Sequence, residues 1–182
     1  MHVSGPFIIV APLSLVPHWV STFNQYTDMP VACLTGTEED REAMYSGRLN
    51  SSLRKSTNFP VIVTSYEVAI NDTRKLNQIG KFTHFIVEEG EGFESYRCAL
   101  LSCLKHIRAD NRLFLPASPF NCAKDMLRVL HFLFDNMFES EEFLSEDHLS
   151  IVTQYAEECD KKKRQQIEAK LRTILNVFTI TE

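Results

Sequence analysis

At 182 residues, 44% of them apolar, the chain is long enough for one domain with a real core, which excludes a disordered segment and a disulfide miniprotein. Nineteen basic against 24 acidic residues give a net charge of −5, which argues against holding a polyanion through overall charge and leaves only a local basic groove open. Phe7-Ile8-Ile9-Val10-Ala11 is a β-favouring run closed by Pro12 and predicts a strand buried on both faces. From Pro17 to Tyr26, Trp19, Val20, Phe23 and Tyr26 recur at helical spacing, with Pro17 suited to a first turn. Val31–Leu34 reads as a second strand, and Gly36-Thr37 before Glu38, Glu39 and Asp40 opens a helix with Thr37 as N-cap. Pro60–Thr64, His84–Val87 and Arg112–Leu115 complete five strands, separated by helical patterns over Tyr66–Ile70, Arg97–Ile107 and Asp125–Phe134.

Strands this apolar, alternating with helices, imply βαβ crossovers and a largely parallel sheet with helices on both sides. This α/β unit is expected over 1–138. The character then changes: five acids between Glu139 and Asp147, a basic run Lys161–Arg164, and a stripe Ile167, Leu171, Ile174, Leu175, Phe178 predict a helical extension over 139–176. A short β-like tail, Val177–Thr181, follows. The charge runs read as opposite solvated faces of a helical hairpin, or as a site for nucleic acid or a partner. Cys33, Cys98, Cys103, Cys122 and Cys159 are scattered, with no C-x-x-C pair, and read as thiols. No apolar run reaches the ~18–20 residues of a membrane span, and Met1–Ser4 lacks signal-peptide character, so an intracellular protein with no membrane partner is expected.

In open parallel sheets functional groups gather at the carboxyl edge. Here that edge carries Ala11–Ser14, Thr64–Glu67, Glu88–Glu91 and Pro116–Pro119. Adjacent acids directly after an apolar strand match the pattern by which nucleotide hydrolases hold Mg²⁺ and orient an attacking water.

These stretches, in this order, resemble the first ATPase lobe of the Swi/Snf-type helicase-like chromatin remodellers. Gly5–Ser14 with Trp19 is similar to motif Ia, Val61–Val68 to motif Ib, Phe85–Glu91 to the DEGH box of motif II, and Asn111–Pro119 to motif III, N-R-L-L-L-T-G-T-P. Met126–Phe138 resembles the downstream L-W-S-L-L-N-F-L segment, and the spacing of Cys98 and Leu100 resembles the lymphoid-specific-helicase-like branch. The resemblance implies a RecA-like fold, ATP and Mg²⁺ as family cofactors, duplex DNA or a nucleosome as partner, and the nucleus as location. It places Glu88 at the Mg²⁺ ligand, Glu89 at the water-activating acid and Ser118 at the motif III hydroxyl. It assigns DNA-backbone contact to Pro12, Leu13, Ser14, Ser65 and Tyr66, although hydroxyls at Ser14, Ser65 and Tyr66 equally suit loop capping.

The departures from the family pattern fall at the reacting groups. The 182 residues contain no G-x-x-x-x-G-K-[ST] string and open at the motif-Ia-like stretch. Glu88 stands for Asp, Glu91 for His and Glu94 for Lys, while Thr-Gly-Thr-Pro has become Pro116-Ala117-Ser118-Pro119. An incomplete first lobe, non-catalytic and with no cofactor of its own, is therefore expected. It would bind DNA or a protein partner covering an open sheet edge at Leu113–Leu115, which Val177–Thr181 closes or leaves open. The alternative is one piece of an active ATP-dependent DNA translocase from a truncated or split gene. Glu88 and Glu89 are read either as a solvated acidic turn or as a remnant metal site, and Trp19 and the phenylalanines as core.

Overall fold

The computed structural model describes residues 5–50, 59–92, 94–120 and 123–134, with the isolated positions 169 and 173. Among the described residues five strands, β1 (Phe7–Ala11), β2 (Val31–Leu34), β3 (Val61–Ser65), β4 (Phe82–Glu88) and β5 (Ala109–Leu115), form one sheet in the order β2-β3-β1-β4-β5. Every neighbouring pair is parallel. Among residues 5–134 that are described, the α-helices that connect or follow them are α1 (Val16–Tyr26), α2 (Glu38–Ser46), α3 (Tyr66–Asn71), α4 (Thr73–Ile79), α5 (Arg97–Leu104) and α6 (Ala123–Leu133).

Alternation along the strands divides the core into two. Ile9, Val61 and Val63 pack on one face against Val16, Trp19, Val20 and Phe23 of α1. Ile8, Val10, Ile62, Phe85 and Val87 face the other way, onto a larger cluster fed by α3 to α6. There Phe85 meets Phe132 edge-on, with centroids 5.5 Å apart, fixing α6 to β4. The β3 run is buried at all five positions, as a central strand covered on both faces must be.

Local signals act as their chemistry predicts. Thr37 caps α2, accepting from the Asp40 N–H while the Asp40 side chain accepts from the Thr37 N–H, and three acids fill the first turn. Gly36, with φ 95°, makes the turn into this cap, where a side chain would be strained and a Cβ would lie 3.0 Å from the Asp40 carboxylate. Pro17 sits in the first turn of α1.

Three features differ from the sequence expectation. α4 is a helix where the sequence pattern, which ends at Ile70, predicts none; Asp72 ends α3 and begins α4. The strands β4 and β5 are longer than their apolar runs. β5 also has a wet side: Asp110, Asn111 and Leu113 are exposed, the last by 42%. The reason is position, because among the described residues β5 pairs with β4 alone and so stands at an edge, where polar residues are tolerated. The expected helical extension over 139–176 and the tail Val177–Thr181 lie outside the described residues, apart from helical positions at 169 and 173.

Candidate functional site

The carboxyl ends of β1, β4 and β5 border a cleft of about 580 Å³, walled by the Pro12–Leu15 turn, Glu88–Glu91 and Leu115–Ala117. Pro12 cannot donate to a ladder and ends β1; its carbonyl instead accepts the N–H groups of Leu15 and Val16, at 2.8 and 3.2 Å, turning the chain into α1. Pro12 and Ser14 line the cleft, and Leu13 projects outward, 63% exposed.

Ser65 and Tyr66 lie beneath this surface. Ser65 is buried and its hydroxyl accepts from the Val68 N–H at 3.4 Å, capping α3. The Tyr66 hydroxyl donates to the Glu88 carbonyl and accepts from the Gly90 N–H at 3.0 Å, so one phenol pins the turn that follows β4. Burial pushes its pKa up to about 12, with the Glu88 and Glu89 charges acting in the same direction. Both hydroxyls are thus engaged inside the fold; of the five residues matched to DNA contact, Leu13 and Ser14 are the exposed ones.

The two acids that end β4 part company. Glu88 is half-buried, and its Oε2 accepts the Trp19 indole N–H at 2.6 Å. Glu89 turns inward and is 4% exposed. Arg97, whose side chain is fully buried, forks onto it with Nε to Oε1 at 2.6 Å and Nη2 to Oε2 at 2.8 Å. The Ala117 N–H adds a third bond, at 3.0 Å to Oε2. Glu89 is therefore no solvated acidic turn: a buried carboxylate keeps its charge only by such pairing. Nor do the acids add up to an unopposed negative field, since Arg97 neutralises one of them. Glu91 is exposed on the rim, and Glu94 lies outside the described side chains.

Ser118 is half-buried and joins the same cluster, its hydroxyl 3.3 Å and its carbonyl 3.4 Å from Arg97 Nη2. Asp125 of α6 stands 3.4 Å from Nη1 and accepts from the Cys98 thiol at 3.4 Å. The sequence reading brought Glu88, Glu89 and Ser118 to one edge but missed Arg97 and Asp125. A signal existed: Arg97 is in helical phase with the buried Leu100, Leu101 and Leu104, and an arginine on an apolar stripe needs an internal acid. Trp19 was read as core; it is half-buried, and its polar edge serves the cleft.

The donor set does not suit Mg²⁺. Both oxygens of Glu89 are held by protein donors, Oε2 of Glu88 faces an indole N–H, and among the described residues no group of three or more His, Cys, Asp or Glu side chains converges to hold a metal.

Residues 1–181 match the SNF2-related domain. The chain belongs to that family. It is 29% identical over 184 residues to the ATP-dependent DNA helicase DDM1 of Arabidopsis thaliana, covering 97% of this chain and 23% of the relative. It is 32% identical over 184 residues to human lymphoid-specific helicase, covering 98% of this chain and 22% of the relative. The SNF2-related chain thus spans less than a quarter of the length of these curated relatives. The SWI2/SNF2 ATPase core of Sulfolobus solfataricus, solved in complex with double-stranded DNA, superposes with a TM-score of 0.65 at 18% identity, over 92% of this chain and 32% of that one. The RecA-like parallel sheet is that of an N-terminal lobe of a Swi/Snf-type remodeller. No helix among the described residues is long and apolar enough to cross a membrane.

Proposed function

We propose that this SNF2-related lobe is non-catalytic and acts in the nucleus as a DNA-contacting element. The observation that carries the reading is the engagement of both motif II acids: Glu88 Oε2 by Trp19, Glu89 by Arg97 and the Ala117 N–H. An acid that activates water needs a lone pair open to that water, and Glu89, only 4% exposed, gives three of its roughly four lone-pair sites to Arg97 and the Ala117 N–H. Contact with duplex DNA is assigned to the exposed Leu13–Ser14 tip, supported by the family match, by the similarity to the DNA helicase DDM1 and by the Sulfolobus solfataricus core's complex with double-stranded DNA. The edge of β5, with Leu113 exposed, offers a place for a protein partner.

Fluorescence anisotropy with labelled duplex DNA tests the contact. The reading expects weak binding that falls as salt rises and falls further in Ser14→Glu, where a new anion faces the phosphates. Binding indifferent to salt and to Ser14→Glu would overturn the assignment of that turn.

A further inference from the structure

We infer that Arg97 is a latch: one guanidinium fastens the loop after β5 and the first turn of α6 to the end of β4, holding the cleft in a single arrangement. The inference rests on the non-catalytic reading, because a carboxylate committed to a permanent internal partner has no duty toward a substrate.

Arg97 opens α5 and enters the interior on the same stripe as Leu100, Leu101 and Leu104. Its guanidinium touches three other segments. The fork to Glu89, at 2.6 and 2.8 Å, is the anchor, since charge-assisted bonds of that length are the strong ones. Ser118, with its hydroxyl and carbonyl at 3.3 and 3.4 Å, and Asp125 at 3.4 Å are drawn onto the same cation. The Phe120 ring lies against it with 5.0 Å from guanidinium carbon to centroid, closing the site from the loop side. Glu89 returns the connection twice, through its carboxylate to the Ala117 N–H and through its own N–H to the Leu115 carbonyl at 2.8 Å.

The geometry demands a planar fork. A lysine would keep the charge but could not meet Glu89 through two parallel N–H bonds while also facing Asp125. Glu89 and Arg97 are mutually dependent: removing one strands the other in a dry interior, whereas removing both leaves only Asp125, whose side chain reaches solvent, without its cation. Their effects should therefore not add.

The test compares the full chain with Arg97→Lys, Arg97→Met, Glu89→Gln and the double variant Glu89→Gln/Arg97→Met. Backbone exchange at Ala117 is read by NMR and stability by thermal melting. Arg97→Met is expected to speed Ala117 amide exchange about tenfold or more, Arg97→Lys and Glu89→Gln by less, and the double variant no further than Arg97→Met. Unchanged Ala117 exchange in folded Arg97→Met, or strictly additive losses in the double variant, would overturn the latch. If Arg97→Met does not fold, exchange in Arg97→Lys and Glu89→Gln decides the matter alone, and wild-type rates in both would overturn it. ATP turnover by the wild-type chain would instead refute the non-catalytic reading while leaving the exchange result intact, so the two failures are distinct.

Discussion

The indole N–H of Trp19 donates to Glu88 Oε2 across 2.6 Å and ties α1, on one face of the sheet, to the carboxyl edge of β4. Trp19 is the single tryptophan of the chain, so tryptophan fluorescence reports on this one indole, set between the α1 face of the core and Glu88. Glu88→Ala removes the acceptor and is expected to shift Trp19 emission to the red as water replaces the carboxylate. Trp19→Phe should cost about 1–2 kcal/mol in urea unfolding followed by circular dichroism, the scale of one bond to a charged group at a half-buried site. An unchanged spectrum in Glu88→Ala would show that the bond is not populated in solution.

A second buried ion pair fastens α2 to the junction of α3 and α4. Asp72, 3% exposed, accepts Arg41 Nε at 2.8 Å, Arg41 Nη2 at 3.3 Å and the Tyr45 hydroxyl at 3.1 Å. Asp72→Ala strands the Arg41 guanidinium and is expected to cost about 3–5 kcal/mol, and Tyr45→Phe about 1 kcal/mol. Denaturant midpoints with unchanged slopes check both values.

Stability should fall in alkali. Tyr45 and Tyr66 hold their protons above the ordinary tyrosine value of 10.0, Tyr45 through burial and the neighbouring Asp72 charge, Tyr66 through burial up to about 12. The unfolded chain releases these protons first, so above pH ~10 it binds fewer than the native state, and each tyrosine removes about 1.4 kcal/mol per pH unit. This contribution is complete below pH ~10 and declines as pH rises toward the folded values. Melting temperatures from pH 9 to 11.5 should drop less steeply in Tyr66→Phe than in wild type.

At the α6 interface, Phe132→Ala removes the ring that meets Phe85 edge-on in the larger core and should cost about 3–5 kcal/mol. Thermal melting of the folded variant measures it.

The strands were legible because parallel strands covered on both faces must be apolar throughout, as Val61–Val63 and Ile8–Val10 are. Thr37 was legible because capping is local chemistry within three residues. What escaped was nonlocal. Nothing near Trp19 in sequence says that its indole meets Glu88, 69 positions away, and Glu89 reaches Arg97 only because the turn after β4 folds α5 back beneath it. β5 was half-legible: Arg112-Leu113-Phe114-Leu115 announced a strand, but Ala109–Asn111 joined it because an edge tolerates Asp110 and Asn111. The site was located by the loops at one sheet edge, whereas the fate of its acids depended on partners that only packing reveals.

The central claim is that Glu89 is held by Arg97 and performs no chemistry, and ATP hydrolysis by the purified chain tests it most directly. Phosphate release is followed with Mg²⁺, with and without duplex DNA, beside Glu89→Gln. The account predicts rates that match Glu89→Gln and do not respond to DNA; DNA-stimulated hydrolysis by the wild type that Glu89→Gln abolishes would contradict it.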